Sequence, residues 1–363
     1  MSEPTQEQVI SIVTSIFNVK DISITLEKMD FEIADADFKQ KFVLLAQKME
    51  PLGIVCILRK SDDRLIIQVN RMPTQTRRLK FLSDAMIQRI LFGVVISFVM
   101  VDGYYRTIGV NSVIFIGDPL DFAILYTLSL VGILGVHEAG HLVAARMHKV
   151  RTSWPYFIPG IPIFAIPTFG AMIQSRGLTI NRDILFDVAI AGPIAGLVIA
   201  IIVSFYGAYT SPVLDDFTLS SLPDGSLQEL NDSILMKIAL SAYGKGGPDV
   251  QVMMSPILFA AWLGFLITFL NLLPAWQLDG GHMARALFGH RIHRFATYGS
   301  VALLFLLQYH FMAILILLFS ARNPGVRPLD DASPLSKNRK YLYIIVIIIA
   351  ILCAPIPGSL WPN

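Results

Sequence analysis

Apolar and polar positions change their pattern at about residue 80. Up to that point apolar residues come in short periodic runs among dense charge, and beyond it they come in long blocks. The first part predicts a helix near 6–17, then a strand with one buried face from the alternation of Ile22, Ile24 and Leu26. Phe38, Phe42 and Leu45 recur at helical spacing. Apolar runs at 53–58 and 65–69 flank the polar turn Ser61-Asp62-Asp63, which reads as a hairpin. The expectation for 1–80 is a small soluble α/β domain of a size that can bind a regulator, although no residue names one.

In the second part, a membrane-spanning helix needs about 20 mostly apolar residues. Five stretches meet or nearly meet that length: 86–105, 122–146, 184–207, 256–273 and 339–356. A sixth, 296–320, has Gln308, Tyr309 and His310 at its middle, and reads either as one long tilted helix or as a re-entrant hairpin. The fold class expected for 86–356 is therefore a polytopic α-helical membrane protein with about six transmembrane segments.

Charge in the short loops orients such helices. Asp102, Asp118 and Asp121 with Arg106 place the first loop outside, and Arg146, Lys149, Arg151, Arg176 and Arg182 place the next inside. The segment 208–255, with Asp215, Asp216, Asp224, Glu229, Asp232 and Asp249, belongs outside, and Arg285, Arg291 and Arg294 mark an inside loop. Arg322, Arg327, Lys337, Arg339 and Lys340 also call for the inside, which favours two passes or a hairpin over one span at 296–320.

Composition agrees with a lipid-facing surface. Of 363 residues 54% are hydrophobic and 15% charged, against roughly 25% charged in soluble domains. Disorder is excluded on the same count. A formal net charge of +2 gives no basic surface, so nucleic acid is not an expected partner. Cys56 and Cys353 lie far apart in apolar runs and read as two buried small hydrophobes rather than a disulfide. Acid at the N-terminus, where a signal peptide would be basic, favours an uncleaved prokaryotic inner-membrane protein whose N-terminus stays in the cytoplasm.

The chemistry lies inside the second long apolar stretch, at Val136-His137-Glu138-Ala139-Gly140-His141. Imidazoles at i and i+4 share one helical face and can hold one metal ion, and the acid between them can reach a metal-bound water. Ionisable residues in the membrane cost several kcal/mol and mark functional sites. With the cytoplasmic end of this helix near Arg146, His137 sits about nine residues inward, or about 13 Å. A catalytic zinc takes three protein ligands plus water. After Glu138 the chain's one further glutamate is Glu229, in the acidic outer segment, so a downstream glutamate ligand is disfavoured. The better candidate is Asp279 in Asn271-Leu272-Leu273-Pro274-Ala275-Trp276-Gln277-Leu278-Asp279-Gly280-Gly281, where Pro274 and the glycine pair break the helix and free backbone at membrane depth.

These two motifs, in this helix order, resemble the site-2 proteases, a family of intramembrane zinc metalloproteases. Further likeness covers Pro155-Tyr156-Phe157-Ile158-Pro159, the run 189–197, Asn323-Pro324-Gly325 and Pro328-Leu329-Asp330. The resemblance spans about 88–335, with the zinc core at about 122–282. It is closest to an archaeal and plant-plastid branch without a PDZ domain, for which the segment 208–255 is too short. It implies one Zn2+ per chain held by His137, His141 and Asp279, Glu138 as general base, and Asn271 as a polar partner of the substrate backbone or oxyanion. It also implies transmembrane proteins, single-span ones among them, as substrates, cut in or near their membrane segments. The expected setting is the lipid bilayer of an archaeal cytoplasmic membrane, with the active site toward the cytoplasm.

Four prolines between 155 and 172 exclude a regular helix there, leaving a re-entrant loop with extended edges or a loop lying on the membrane. Gly192 and Gly196 form a G-x-x-x-G pair that predicts close packing against the helix bearing the histidines. His148, His282, His290, His293 and His310 have no matching partners, and the cluster Gly244-Lys245-Gly246-Gly247 lacks phosphate-loop spacing. The competing reading is a metal-ion transporter or metal-binding membrane protein using the same side chains, which has no need of Glu138 as an unligated base.

Overall fold

The computed structural model describes residues 5–25, 28–61, 64–71, 83–160, 166–172, 179–221, 230–247, 250–322 and 328–356. Expectations that rest on residues 1–4, Leu26, Asp62, Asp63, Pro162, Arg176, Asp224, Glu229, Asp249, Arg327 or residues 323–325 lie outside the described residues.

Helix α1 (Gln6–Ile16) opens with a reciprocal cap, in which the Gln8 N–H donates to the Thr5 hydroxyl and the Thr5 N–H to the Gln8 side chain. Strands β1 (Val19–Ile24) and β2 (Met29–Ile33), helix α2 (Phe38–Met49), and strands β3 (Ile54–Ser61) and β4 (Arg64–Arg71) follow. The strands form one antiparallel sheet in the order β1-β2-β4-β3, including the expected β3/β4 hairpin. Val9, Val13, Phe31, Phe42, Leu45, Met49, Leu58 and Ile67 make its core. Strand β2 is an addition to the sequence reading, although Met29, Phe31 and Ile33 alternate with acids. Strand β1 forms where expected, but its predicted buried face does not: Ile22 and Ile24 are exposed. They lie across from Phe31 and Met29 at the sheet edge, where the helical layer leaves them uncovered.

The remaining elements are α3 (Asp84–Asn111), α4 (Pro119–Met147), β5 (Tyr156–Pro159), β6 (Thr168–Met172), α5 (Arg182–Thr210), α6 (Asp216–Ser221), α7 (Ile234–Ser241), α8 (Pro256–Leu272), α9 (Asp279–Leu306), α10 (His310–Arg322) and α11 (Lys337–Cys353). Side-chain caps start the helices that matter most for the site: Asp118 before Pro119 in α4, Asn181 in α5 and Ser255 before Pro256 in α8. Among the described residues α3, α4 and α5 are long and apolar enough to cross a membrane. Helices α8 and α11 have 17 residues each, or about 26 Å, slightly short of the ~30 Å hydrocarbon core. Every residue of α8 but Ile267 and Asn271 is buried, so its all-round apolar sequence belongs to a helix enclosed by α4, α5, α9 and α11.

One open alternative is decided as favoured, and one expectation is corrected. The segment 296–320 is not one helix: α9 ends at Leu306, Gln308 takes a left-handed φ of 67°, and α10 turns back against α9. Asp102 and Arg106 belong to α3 rather than to the loop after it, and Arg285, Arg291 and Arg294 belong to α9 rather than to a loop. Asp102 is fully buried and accepts hydrogen bonds from Arg106 Nε at 2.6 Å and the Tyr126 hydroxyl at 2.8 Å, and the Arg106 guanidinium lies 3.6 Å over the Phe259 ring. The pairing meets the cost of these charges inside the bundle. In the segment after α7, Lys245 Nζ donates to the carbonyls of Ala208, Tyr209 and Ser211 at 2.7, 3.1 and 2.6 Å. The glycine-flanked lysine thus caps the C-terminus of α5.

The N-terminal unit is not detached from the helices. Ile180, Ile184 and Leu329 complete its core, and the Leu58 N–H of β3 donates to the Leu329 carbonyl at 2.9 Å.

Both cysteines are free and buried, and burial pushes the Cys56 thiol up to about 12. Cys56 in the native protein is expected to resist a maleimide at pH 8. Phe31→Ala, which empties a fully buried site in the same core at a cost of about 3–5 kcal/mol, should speed Cys56 labelling roughly 10²-fold or more through local opening. Labelling kinetics followed by mass spectrometry check this.

Candidate metal centre

Helix α4 sets His137 and His141 one turn apart, with their Nε2 atoms 3.1 Å from each other. Asp279, the first residue of α9, brings its Oδ2 to 3.4 Å from both. Among the described residues these three are the one group of His, Cys, Asp or Glu side chains arranged to hold an ion. All are largely withdrawn from solvent, with side-chain exposures of 6%, 12% and 16%.

Asp279 reaches this place through the helix break. After α8 ends, the Ala275 N–H donates to the Leu273 carbonyl at 2.7 Å, and Trp276 takes a left-handed φ of 44° with its N–H donated to Thr297 Oγ1 at 3.0 Å. A Cβ at Gly280 would overlap the Leu272 carbonyl, so the glycine lets the first turn of α9 close onto the last turn of α8. The carboxylate then sits at a helix N-terminus, where aligned peptide dipoles favour negative charge.

The histidines are held from α5. His141 Nδ1 lies 2.7 Å from the Val188 carbonyl oxygen. That oxygen only accepts, so Nδ1 carries the proton and the Nε2 lone pair is free for a metal. Such close approach requires the predicted glycine pair: a Cβ at Gly192 would collide with the His141 ring, and one at Gly196 would lie 2.9 Å from His137 Cβ.

The donor set fits zinc. Bonds of about 2.0–2.2 Å in a tetrahedron place ligand atoms about 3.4 Å apart, and two imidazoles plus one carboxylate leave a fourth position open. The observed separations of 3.1, 3.4 and 3.4 Å match that triangle. Glu138 is buried between the two histidines in sequence and stands outside the ligand group. Asn271 is half-buried in the last turn of α8, and its side chain makes no hydrogen bond among the described residues. His282, His290, His293 and His310 stay outside the group, as does His148, whose Nε2 lies 3.0 Å from Asp187.

Of the two readings of 155–172, the described part is extended: β5 and β6 pair antiparallel, and the Phe157 ring lies tilted against Phe92 on α3 with centroids 4.9 Å apart. Sequence reasoning missed the Val188 carbonyl, since backbone groups carry no residue-specific signal, but Gly192 marked the turn of α5 that comes close.

A model of peptidase family M50 matches residues 125–315, more than half of the chain. Among curated proteins, the chain is 29% identical over 241 residues to the probable zinc metalloprotease EGY2, chloroplastic, of Arabidopsis thaliana, a match covering 64% of this chain and 41% of that protein. Its counterpart from Oryza sativa subsp. indica is 30% identical, with 65% and 43% covered. The probable zinc metalloprotease EGY1, chloroplastic, of Arabidopsis thaliana is 29% identical, with 64% and 43% covered. The chain thus matches about two fifths of the length of these relatives.

Gly192→Ala should drive a methyl group into the His141 ring and strip the metal, whereas Gly132→Ala on α4, where a Cβ meets open space, should keep it. Elemental analysis of the purified variants checks both outcomes.

Proposed function

The chain belongs to peptidase family M50, and from that membership we propose that it is a zinc metalloprotease hydrolysing peptide bonds in or near the transmembrane segments of other membrane proteins. The observation that carries this reading is the buried triangle of His137 Nε2, His141 Nε2 and Asp279 Oδ2 amid apolar helices, with Glu138 buried beside it as a carboxylate the ligand set does not use.

His137, His141 and Asp279 would hold one zinc, which when bound supplies a Lewis acid for the scissile carbonyl and lowers the pKa of a water toward about 7. Glu138 would act as the general base, taking a proton from the attacking water and giving it to the leaving amine. The Val188 carbonyl keeps His141 oriented, and the enclosed helices exclude bulk water. Asn271 offers an unengaged amide to the substrate backbone or to the developing oxyanion. A helical substrate shields its peptide bonds in its own hydrogen bonds, so it must be unwound before attack. The edge of the β5/β6 pair can take it as an added strand.

Single-span and other transmembrane proteins are the substrates this site suits, and the bilayer is its medium. A prokaryotic, archaeal-type cytoplasmic membrane is the setting this reading takes, and the basic residues Lys149 and Arg151 in the loop after α4 support a site toward the cytoplasmic side. A domain at 1–80 and a membrane domain at 86–356 are the division this reading uses. A transport site would have no need of Glu138 as an unligated base, which is what sets the two readings apart.

Glu138→Gln should retain zinc while cleavage of a reconstituted single-span substrate falls about 10²- to 10⁴-fold, and Asp279→Ala should lose the zinc. Cleavage by Glu138→Gln at the parental rate would remove the base from the mechanism. A parent that cuts nothing yet carries metal across proteoliposomes would install the transporter instead. For orientation, a cysteine at Asp215 should react with a membrane-impermeant reagent from outside and one at Arg291 only after permeabilisation.

A further inference from the structure

Between α10 and α11 the chain runs through Pro328-Leu329-Asp330-Asp331-Ala332-Ser333, two acids on a short polar stretch. This segment behaves as a strap. On one side the Leu329 carbonyl accepts from the Leu58 N–H of β3, the outer strand of the N-terminal sheet. On the other side the N–H groups of Leu329 and Asp330 donate to the carbonyls of Thr179 and Ile180 at 2.9 and 2.7 Å, just before α5 begins. Asp330 Oδ1 accepts the N–H groups of Ala332 and Ser333 at 3.1 and 2.8 Å, a local turn that fixes the strap's course.

Asp331 is the next residue, and it ties two helices. Its carboxylate accepts from Arg182 Nε and Nη2 at 3.2 and 3.0 Å, and from Arg285 Nη1 and Nη2 at 3.2 and 2.8 Å. Arg182 is the first residue of α5, and Arg285 lies buried, 3% exposed, on α9. Asp331 supplies every hydrogen bond the Arg285 side chain makes among the described residues. Burial alone would raise the Asp331 carboxyl, and Arg285 with Arg182 more than reverses this, holding it below the usual carboxylate range and ionised at neutral pH.

The two helices are the ones that set the metal ligands. Val188, whose carbonyl holds His141, and Asp279 each lie six residues from the arginine on their helix, about 9 Å along the axis. Val188 and Ile184 also pack against the N-terminal core. Lys39 of α2 adds a second fastening, with Nζ 2.8 Å from Asp183 and 3.0 Å from the Pro334 carbonyl.

We propose that Asp331 is a positioning residue of the metal centre, and that through the strap the docking of the N-terminal unit on β3 sets the affinity of that centre for its ion. The proposal rests on the zinc reading above. Because coupling between sites is reciprocal, the ion must in turn tighten the strap on β3.

The test uses the full chain in nanodiscs. Zinc affinity is measured by chelator competition, and exchange of the Leu58 and Leu329 amides is measured with and without zinc. Asp331→Asn should weaken zinc about tenfold or more, the scale of losses when the outer partners of metal ligands are removed. Asp331→Glu should recover most of the loss. Zinc should slow exchange of both amides in the parent and leave it unchanged in Asp331→Asn. Should Asp331→Asn fail to fold, Lys39→Gln loosens the same docking without touching Arg285 and should weaken zinc by a smaller factor. Parental zinc affinity in the folded variants, or no effect of zinc on Leu58 exchange in the parent, overturns the proposal. A parent that binds no zinc at all overturns the zinc reading itself, a result distinct from the others.

Discussion

A charge placed in a low-dielectric interior has to find its partner there, and this constraint shapes the charged contacts of the helical core. The acid and imidazoles of the metal centre converge to within 3.4 Å. Asp102 binds Arg106 and Tyr126. Each is a group that would cost several kcal/mol if left alone in a low-dielectric interior. A buried polar cluster is acceptable when its members satisfy each other, and such a cluster then fixes how the helices around it pack.

Packing supplies the precision that charge does not. Helix α8 is enclosed by its neighbours and buries aromatic and aliphatic side chains on all sides, making it a fixed post from which the turn at Pro274 departs. Without side chains at Gly192 and Gly196, α5 comes close enough to offer a carbonyl to His141. Together the turn and the helix place three ligand atoms from two distant parts of the chain at separations suited to one small ion.

Much of this was legible in the sequence, for identifiable reasons. The histidine pair, Glu138 and the interrupted motif ending at Asp279 are side-chain patterns with fixed spacing, and long apolar blocks announce helices. The glycine pair gave the face of α5. What stayed hidden depended on context: whether Ile22 and Ile24 are covered depends on where the helices of that unit end. Asp102 and Arg106 read as loop charges because a buried ion pair and an exposed one have the same letters. Asp331 could not be read as a tie between Arg182 and Arg285, since neither partner is near it in sequence.

The two halves of the metal centre are about 140 residues apart, His141 on α4 and Asp279 at the start of α9, a separation that bears on the birth of the protein. At roughly 5–20 residues per second of synthesis, the histidine helix is made about 7 to 28 seconds before the aspartate that completes its ligand set. During that interval α4 presents two imidazoles and a glutamate with no third ligand, and α5, made next, contributes the Val188 carbonyl first. The ligand set of a nascent chain is therefore incomplete until about three quarters of the chain has been made, and the order of translation itself delays the assembly of the metal centre.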